Sequence, residues 1–184
     1  EGSPTQLDTA VAAAKRAFPT FSRTSKAERI DMLKQLNAAV LARVPDLTEA
    51  MALEYGAPQI FTRFSVPHAA SSFATMATVL EAYDFERQIG RARVVMQPSG
   101  VAAAITPWNS NIGFIPSKLA TAIAAGSTIV IKPSEMSAIQ TQILTEASGQ
   151  GASVATFQYA WLIFMLPYSI IVLSIGTPYF TQIS

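Results

Sequence analysis

Cysteine is absent from all 184 residues, and histidine occurs once, at His68. The first absence excludes disulfides, thiolate metal sites and any thiol nucleophile within this sequence. The second makes a histidine-built metal site untenable, so no metal ligands are assigned. Charge is sparse: Asp, Glu, Lys and Arg make up 14% of the chain, against about 25% in an ordinary soluble domain. The deficit is local, because every charged residue lies at or before Glu146 and none follows from Ala147 to Ser184. With a formal net charge of +1 and no basic run, nothing favours nucleic acid as a partner. There is no glycine-rich phosphate loop of the GxGxxG kind and no internal repeat. The first residues, Glu1-Gly2-Ser3-Pro4, lack the basic and apolar regions of a signal peptide.

What remains divides into helical and strand-like patterns. Leu7, Val11, Ala14 and Phe18 repeat at helical spacing, which predicts a helix over 7–18 that stops before Pro19. Ser25-Lys26-Ala27-Glu28 has the form of a capping box, in which the serine hydroxyl takes a free helix N–H and the glutamate reaches back to the cap. The helix that it opens carries Ile30, Leu33, Leu36, Val40, Leu41 and Val44, with Pro45 as its stop. A third helix is predicted over 47–55, closed by Gly56, and a fourth over 71–82, with His68 in a loop or at the helix start. Strands are expected at 93–97, 101–106 and 128–132, with helices over 117–125 and 137–147. The run 101–106 is continuously apolar and predicts a strand buried on both faces. Two such strands joined by a helix should run parallel through a right-handed crossover. The fold class is therefore α/β.

Chemistry clusters where these two strands end. Ligands of an open parallel sheet bind beyond the carboxyl ends of its strands, and Ile105-Thr106-Pro107-Trp108-Asn109 and Lys132-Pro133-Ser134-Glu135 both fall there. The Asn109 amide can donate to a developing oxyanion. Lys132 and Glu135 suit a ribose, one as donor and the other as acceptor for its hydroxyls. A carboxylate at that point repels a 2′-phosphate and so favours NAD over NADP. Trp108 can wall the pocket. The plainer alternative is that these groups merely cap and solvate the strand ends.

Residues 105–109 and the stretch Pro116 to Glu135, ending Thr128-Ile129-Val130-Ile131-Lys132-Pro133-Ser134-Glu135, resemble the aldehyde dehydrogenase superfamily. The interval between Asn109 and Lys132, Lys118, Phe18, the helix start at Lys26–Arg29 and the Glu54-Tyr55-Gly56 turn are similar too. The resemblance implies a Rossmann-like parallel sheet fragment with N-terminal helices. It implies Asn109 as the catalytic oxyanion amide, and Lys132 and Glu135 as holders of the adenosine ribose. Ile105, Thr106, Pro107, Trp108, Pro133 and Ser134 would border the NAD cleft, and Lys118 would support the proton-relay region. It further implies a small aldehyde substrate, a cytoplasmic setting for 1–147, and homo-oligomers assembled through a hairpin that includes Arg93 to Gln97. The family's nucleophilic cysteine and general-base glutamate are expected well beyond Glu146, and no cysteine occurs here. The sequence thus predicts a partial NAD-binding domain over 1–147 that does not oxidise aldehydes by itself.

Residues 148–154 read as a linker. Residues 155–184 are almost wholly apolar and predict an apolar C-terminal helix. From Trp161 to Tyr179 such a helix would rise roughly 27 Å, near the thickness of a bilayer core. The tail resembles a transmembrane helix of the bacterial lipid II flippase family, which implies membrane association through 155–184. Two further readings stay open: a membrane-associated protein without enzymatic activity, and an assembly fragment that completes its sheet with another chain.

Overall fold

A computed structural model of the chain describes residues 4–150. The expectations for the tail, as linker, apolar helix or flippase-like segment, fall outside these residues from position 151 onward. Four helices come first: α1 (Pro4–Phe21), α2 (Lys26–Ala42), α3 (Val44–Tyr55) and α4 (Gln59–Ala82). A hairpin of β1 (Glu86–Ile89) and β2 (Ala92–Val95) follows. The chain then makes β3 (Val101–Ile105), α5 (Asn111–Ala125) and β4 (Thr128–Lys132). A 3-10 turn (Glu135–Ser137) leads into α6 (Ala138–Gln150).

β3 and β4 pair in parallel, with Val101 opposite Thr128 and Ile105 opposite Lys132. Alternation then sorts their side chains. Val101 and Val130 pack against Ala10 and Ala14 of α1, and the Thr128 hydroxyl donates to the Ala14 carbonyl at 3.1 Å. Ala104, Ile129 and Ile131 point the other way, into the main core with Ile112, Leu119 and Ile123 of α5. That core continues through Phe73 of α4 and Leu33 and Leu36 of α2. Each such side chain contributes about 1.5–3 kcal/mol by leaving water.

The capping box forms as read: Ser25 Oγ accepts from the Glu28 amide at 3.2 Å, and Glu28 accepts from the Ser25 amide at 2.7 Å. Gly56 ends α3 in the left-handed conformation, with φ of 68°.

Other expectations are corrected. α1 runs past Pro19 to Phe21, because Phe21 is fully buried and anchors its last turn. Its inner face is Ala10, Ala13, Ala14, Ala17 and Phe21, while Leu7 is exposed. Pro45 does not stop a helix but sits in the first turn of α3, where a missing N–H costs nothing. α4 starts well before 71 and passes through Pro67, with Val66, Ala69, Ala70 and Phe73 buried on either side of it. His68 accordingly sits within α4 and not in a loop. Ser148–Gln150, expected to be linker, continue the backbone of α6. β3 is not buried on both faces: Ala103 and Ile105 are exposed. α1 reaches only the near end of that face, and among the described residues β3 has no strand on its second edge. The strand expected at 93–97 is Ala92–Val95, the second strand of a hairpin whose first strand, β1, is wholly exposed.

Candidate functional site

The carboxyl ends of β3 and β4 lie side by side. One further ladder bond, from the Thr106 amide to the Lys132 carbonyl at 3.1 Å, carries the pairing to the tips. The structure therefore brings the 105–109 and 132–135 segments together as neighbouring parallel strand ends. Ile105 and Lys132 are register partners on one face, and Ile105 is 81% exposed. An isoleucine left bare beside a lysine at a sheet's ligand-binding edge is surface that a flat, amphipathic ligand can cover.

Past Ile105, Thr106 is buried, and Pro107, Trp108 and Asn109 are exposed. The Trp108 ring meets the Tyr55 ring edge-on, with centroids 5.8 Å apart and planes at 77°. The Tyr55 hydroxyl is buried without a hydrogen-bond partner among the described residues. Asn109 lies in the turn before α5, and its side chain makes no hydrogen bond to another described residue. On the β4 side, Pro133 is buried and Ser134 Oγ accepts from the Met136 amide at 3.2 Å, starting the 3-10 turn. Lys132 and Glu135 are both exposed and stand 3.7 Å apart. An exposed pair of this kind is worth little by itself, so both heads are free to regroup around hydroxyls. Lys118 is elsewhere: it lies on α5, beside a groove bordered by Ala102, Ala103 and Ala104 of β3, and not at the strand tips.

Two features escaped the sequence reading. One is an apolar cavity of about 570 Å³ between α4 and the start of α5, lined by Phe61, Phe64, His68, Ser110, Ile112 and Phe114. A helical phase for 59–70 would have aligned Phe61, Phe64 and His68, but Pro67 disguised that helix. The other is a buried polar network under the loop. Gln140 of α6 accepts from the Ile112 amide at 3.3 Å and donates to Glu54 of α3 at 2.7 Å. Glu54 also accepts from the Ile139 and Gln140 amides. Burial raises the Glu54 pKa above its ordinary value, partly offset by these bonds to Gln140 and Ile139.

The strand–helix–strand unit, with adjacent parallel tips and helices packed on it, is a mixed α/β arrangement with polar groups gathered at one sheet edge. Comparison with known proteins makes this specific: the profile of the aldehyde dehydrogenase family matches residues 1–154. The chain belongs to that family. It is 41% identical over 145 residues to a 3-succinoylsemialdehyde-pyridine dehydrogenase of Pseudomonas sp., covering 78% of this chain and 30% of that protein. It superposes with a TM-score of 0.80 on an aldehyde dehydrogenase of Pseudomonas syringae crystallised with NAD+ and octanal, at 35% identity over 83% of this chain and 32% of that one. An NAD-dependent aldehyde dehydrogenase of Sinorhizobium meliloti gives a TM-score of 0.77 at 29% identity, with 83% and 32% covered. The chain thus spans about a third of the length of these relatives.

Proposed function

We propose that residues 1–147 are part of the cofactor domain of an NAD-dependent aldehyde dehydrogenase, and that NAD lies across the tips of β3 and β4. The observation that carries this reading is the Ile105–Lys132 register pair, with bare apolar surface and an exposed cation on one face at the carboxyl ends of parallel strands. Lys132 donates to the adenosine ribose, and Glu135 accepts from its hydroxyls and disfavours a 2′-phosphate. Ile105, Pro107, Trp108 and Ser134 border the cleft, with Thr106 and Pro133 beneath it. The bound nicotinamide supplies the hydride acceptor. Asn109, whose amide is otherwise uncommitted, donates to the oxygen of the reacting carbonyl. The apolar cavity between α4 and α5 begins at Ser110, next to Asn109, and suits the hydrocarbon part of an aldehyde. The β1–β2 hairpin, exposed along almost its whole length, is the surface for assembly with like chains.

Residues 1–184 hold no thiol, so this chain binds cofactor without the covalent step that aldehyde oxidation in the family requires. Calorimetric titration with NAD is expected to give measurable heat. Lys132→Ala and Glu135→Ala should each weaken binding about 5- to 10-fold, as expected for losing a charge-assisted hydrogen bond. NADP should bind less tightly than NAD, and no NADH should accumulate with short aldehydes. Binding unchanged in both variants, or no heat at all, would remove the cleft from the account. Among the described residues no helix is long and apolar enough to cross a membrane.

A further inference from the structure

Asn111 begins α5 and is fully buried. Its Oδ1 accepts from Thr106 Oγ1 at 2.6 Å. Its Nδ2 donates to Ser137 Oγ at 2.8 Å and to Thr141 Oγ1 at 3.1 Å. The orientation of this amide follows from its neighbours. Ser137 gives its own hydroxyl proton to the Ser134 carbonyl at 3.1 Å, and Thr141 gives its proton to the Ser137 carbonyl at 2.8 Å. Both hydroxyls therefore face Asn111 as acceptors, and the nitrogen must be turned toward them. One side chain thus ties the tip of β3 to the turn after β4 and to the first turns of α6.

The segment between Thr106 and Asn111 is the one that carries Trp108 and Asn109. It is closed at its base by the Thr106–Asn111 bond. Pro107 restricts its entry, and Ser110 leaves it with φ of 54° and ψ of 34°, the only positive φ outside glycine among the described residues. A serine there is strained and persists only where its surroundings hold it. Ser110 provides no side-chain cap for α5; its carbonyl accepts from the Gly113 and Phe114 amides at 2.8 and 3.3 Å, and the buried Thr106 and Asn111 anchor the two ends of the segment.

We infer that Asn111 is a positioning residue: through Thr106, Ser137 and Thr141 it fixes the loop that presents Trp108 and Asn109 to the strand-tip cleft. The consequence for cofactor binding rests on the function proposed above. The consequence for the loop does not.

The test uses the full chain with Trp161→Phe, which leaves Trp108 as the single tryptophan, and compares Asn111→Leu, Ser137→Ala and Lys132→Ala. Time-resolved fluorescence anisotropy of Trp108 is recorded well below the melting transition, and NAD affinity is measured by calorimetry. Asn111→Leu is expected to increase the fast local motion of Trp108 and to weaken NAD about fivefold or more. Ser137→Ala, which removes one of two acceptors, should shift both in the same direction by less, and it decides the matter if Asn111→Leu does not fold. Unchanged Trp108 motion in a folded variant overturns the inference. So does a Lys132→Ala protein that loses NAD affinity beside an Asn111→Leu protein that keeps it. If Trp108 loosens while none of the variants alters NAD binding, the positioning role stands and the cleft assignment fails.

Discussion

A methyl group at Gly126 would stand 2.8 Å from Arg29 Nη1 and 3.0 Å from Pro98 Cγ, on a backbone with φ of 74°. Arg29 has little room to yield. Its side chain is almost fully buried, its Nη1 donates to the Ala124 carbonyl at 2.7 Å, and its guanidinium lies 5.0 Å from the Phe85 ring centre. Burial lowers its pKa from the ordinary arginine value, and the carbonyl and the ring compensate part of that cost. Gly126→Ala is therefore expected to lose about 2–4 kcal/mol, the left-handed strain plus the displaced hydrogen bond. Gly56→Ala is the control. It has φ of 68° and open space around the added methyl, so it should lose only the strain, about 1–2 kcal/mol. Urea denaturation of both variants checks this, and equal losses would show that Arg29 moves aside freely. Sequence alone marks both glycines as helix ends. It does not mark the clamp, because Arg29 and Ala124 are far apart in the chain.

Among elements, α6 shows how a helix can be started by another helix. Among the described residues, the carboxylate that accepts from its first amides does not come from its own N-terminus. Glu54, from the last turn of α3, accepts from the Ile139 and Gln140 amides instead. Negative charge there suits the helix dipole, but burial outweighs the gain and leaves the Glu54 pKa raised above 4.5. A carboxyl group whose pKa is raised by folding adds stability that is fully present below its unfolded pKa and is lost as pH rises through the folded one. The stability of the wild type relative to Glu54→Gln should therefore fall as pH increases from just below 4.5 towards neutrality. Paired urea titrations across that range measure the difference, and a constant or rising difference would contradict the raised pKa. The notation Glu54-Tyr55-Gly56 shows a helix end but not its role at α6, since a cap that comes from a distant helix leaves no local pattern. The prolines misled in the same local way. Pro19 and Pro45 read as stops, yet the buried Phe21 carries α1 through the first and the second starts α3, while Pro67 lies inside α4.

For the molecule as a whole, the meeting of the two strand ends was readable because its grammar is local: two apolar runs, a helix between them, and polar residues at both ends. The parallel pairing and the meeting of Thr106 with Lys132 follow from that grammar. The uncovered face of β3 does not, since burial depends on what packs against a strand, and α1 reaches only one end. The main core joins α2 through α6 with β3, β4 and Phe21 of α1, while no residue of the β1–β2 hairpin is among its buried members; the hairpin is held by its own ladder and by the exposed Arg93–Glu86 pair at 2.6 Å. Such a pair contributes at most about 1 kcal/mol, and a lone two-stranded hairpin is marginal in water. In hydrogen exchange on dilute protein, amides of α4 and α5 should open only with global unfolding. Those of β1 and β2 should exchange through local opening, about 100-fold faster or more. Hairpin protection that matches α4 at every concentration would mean that the hairpin belongs to the core after all. Protection that climbs with protein concentration would instead place the contact between copies on these two strands, because dilution leaves an intrachain core unchanged and dissolves an interface.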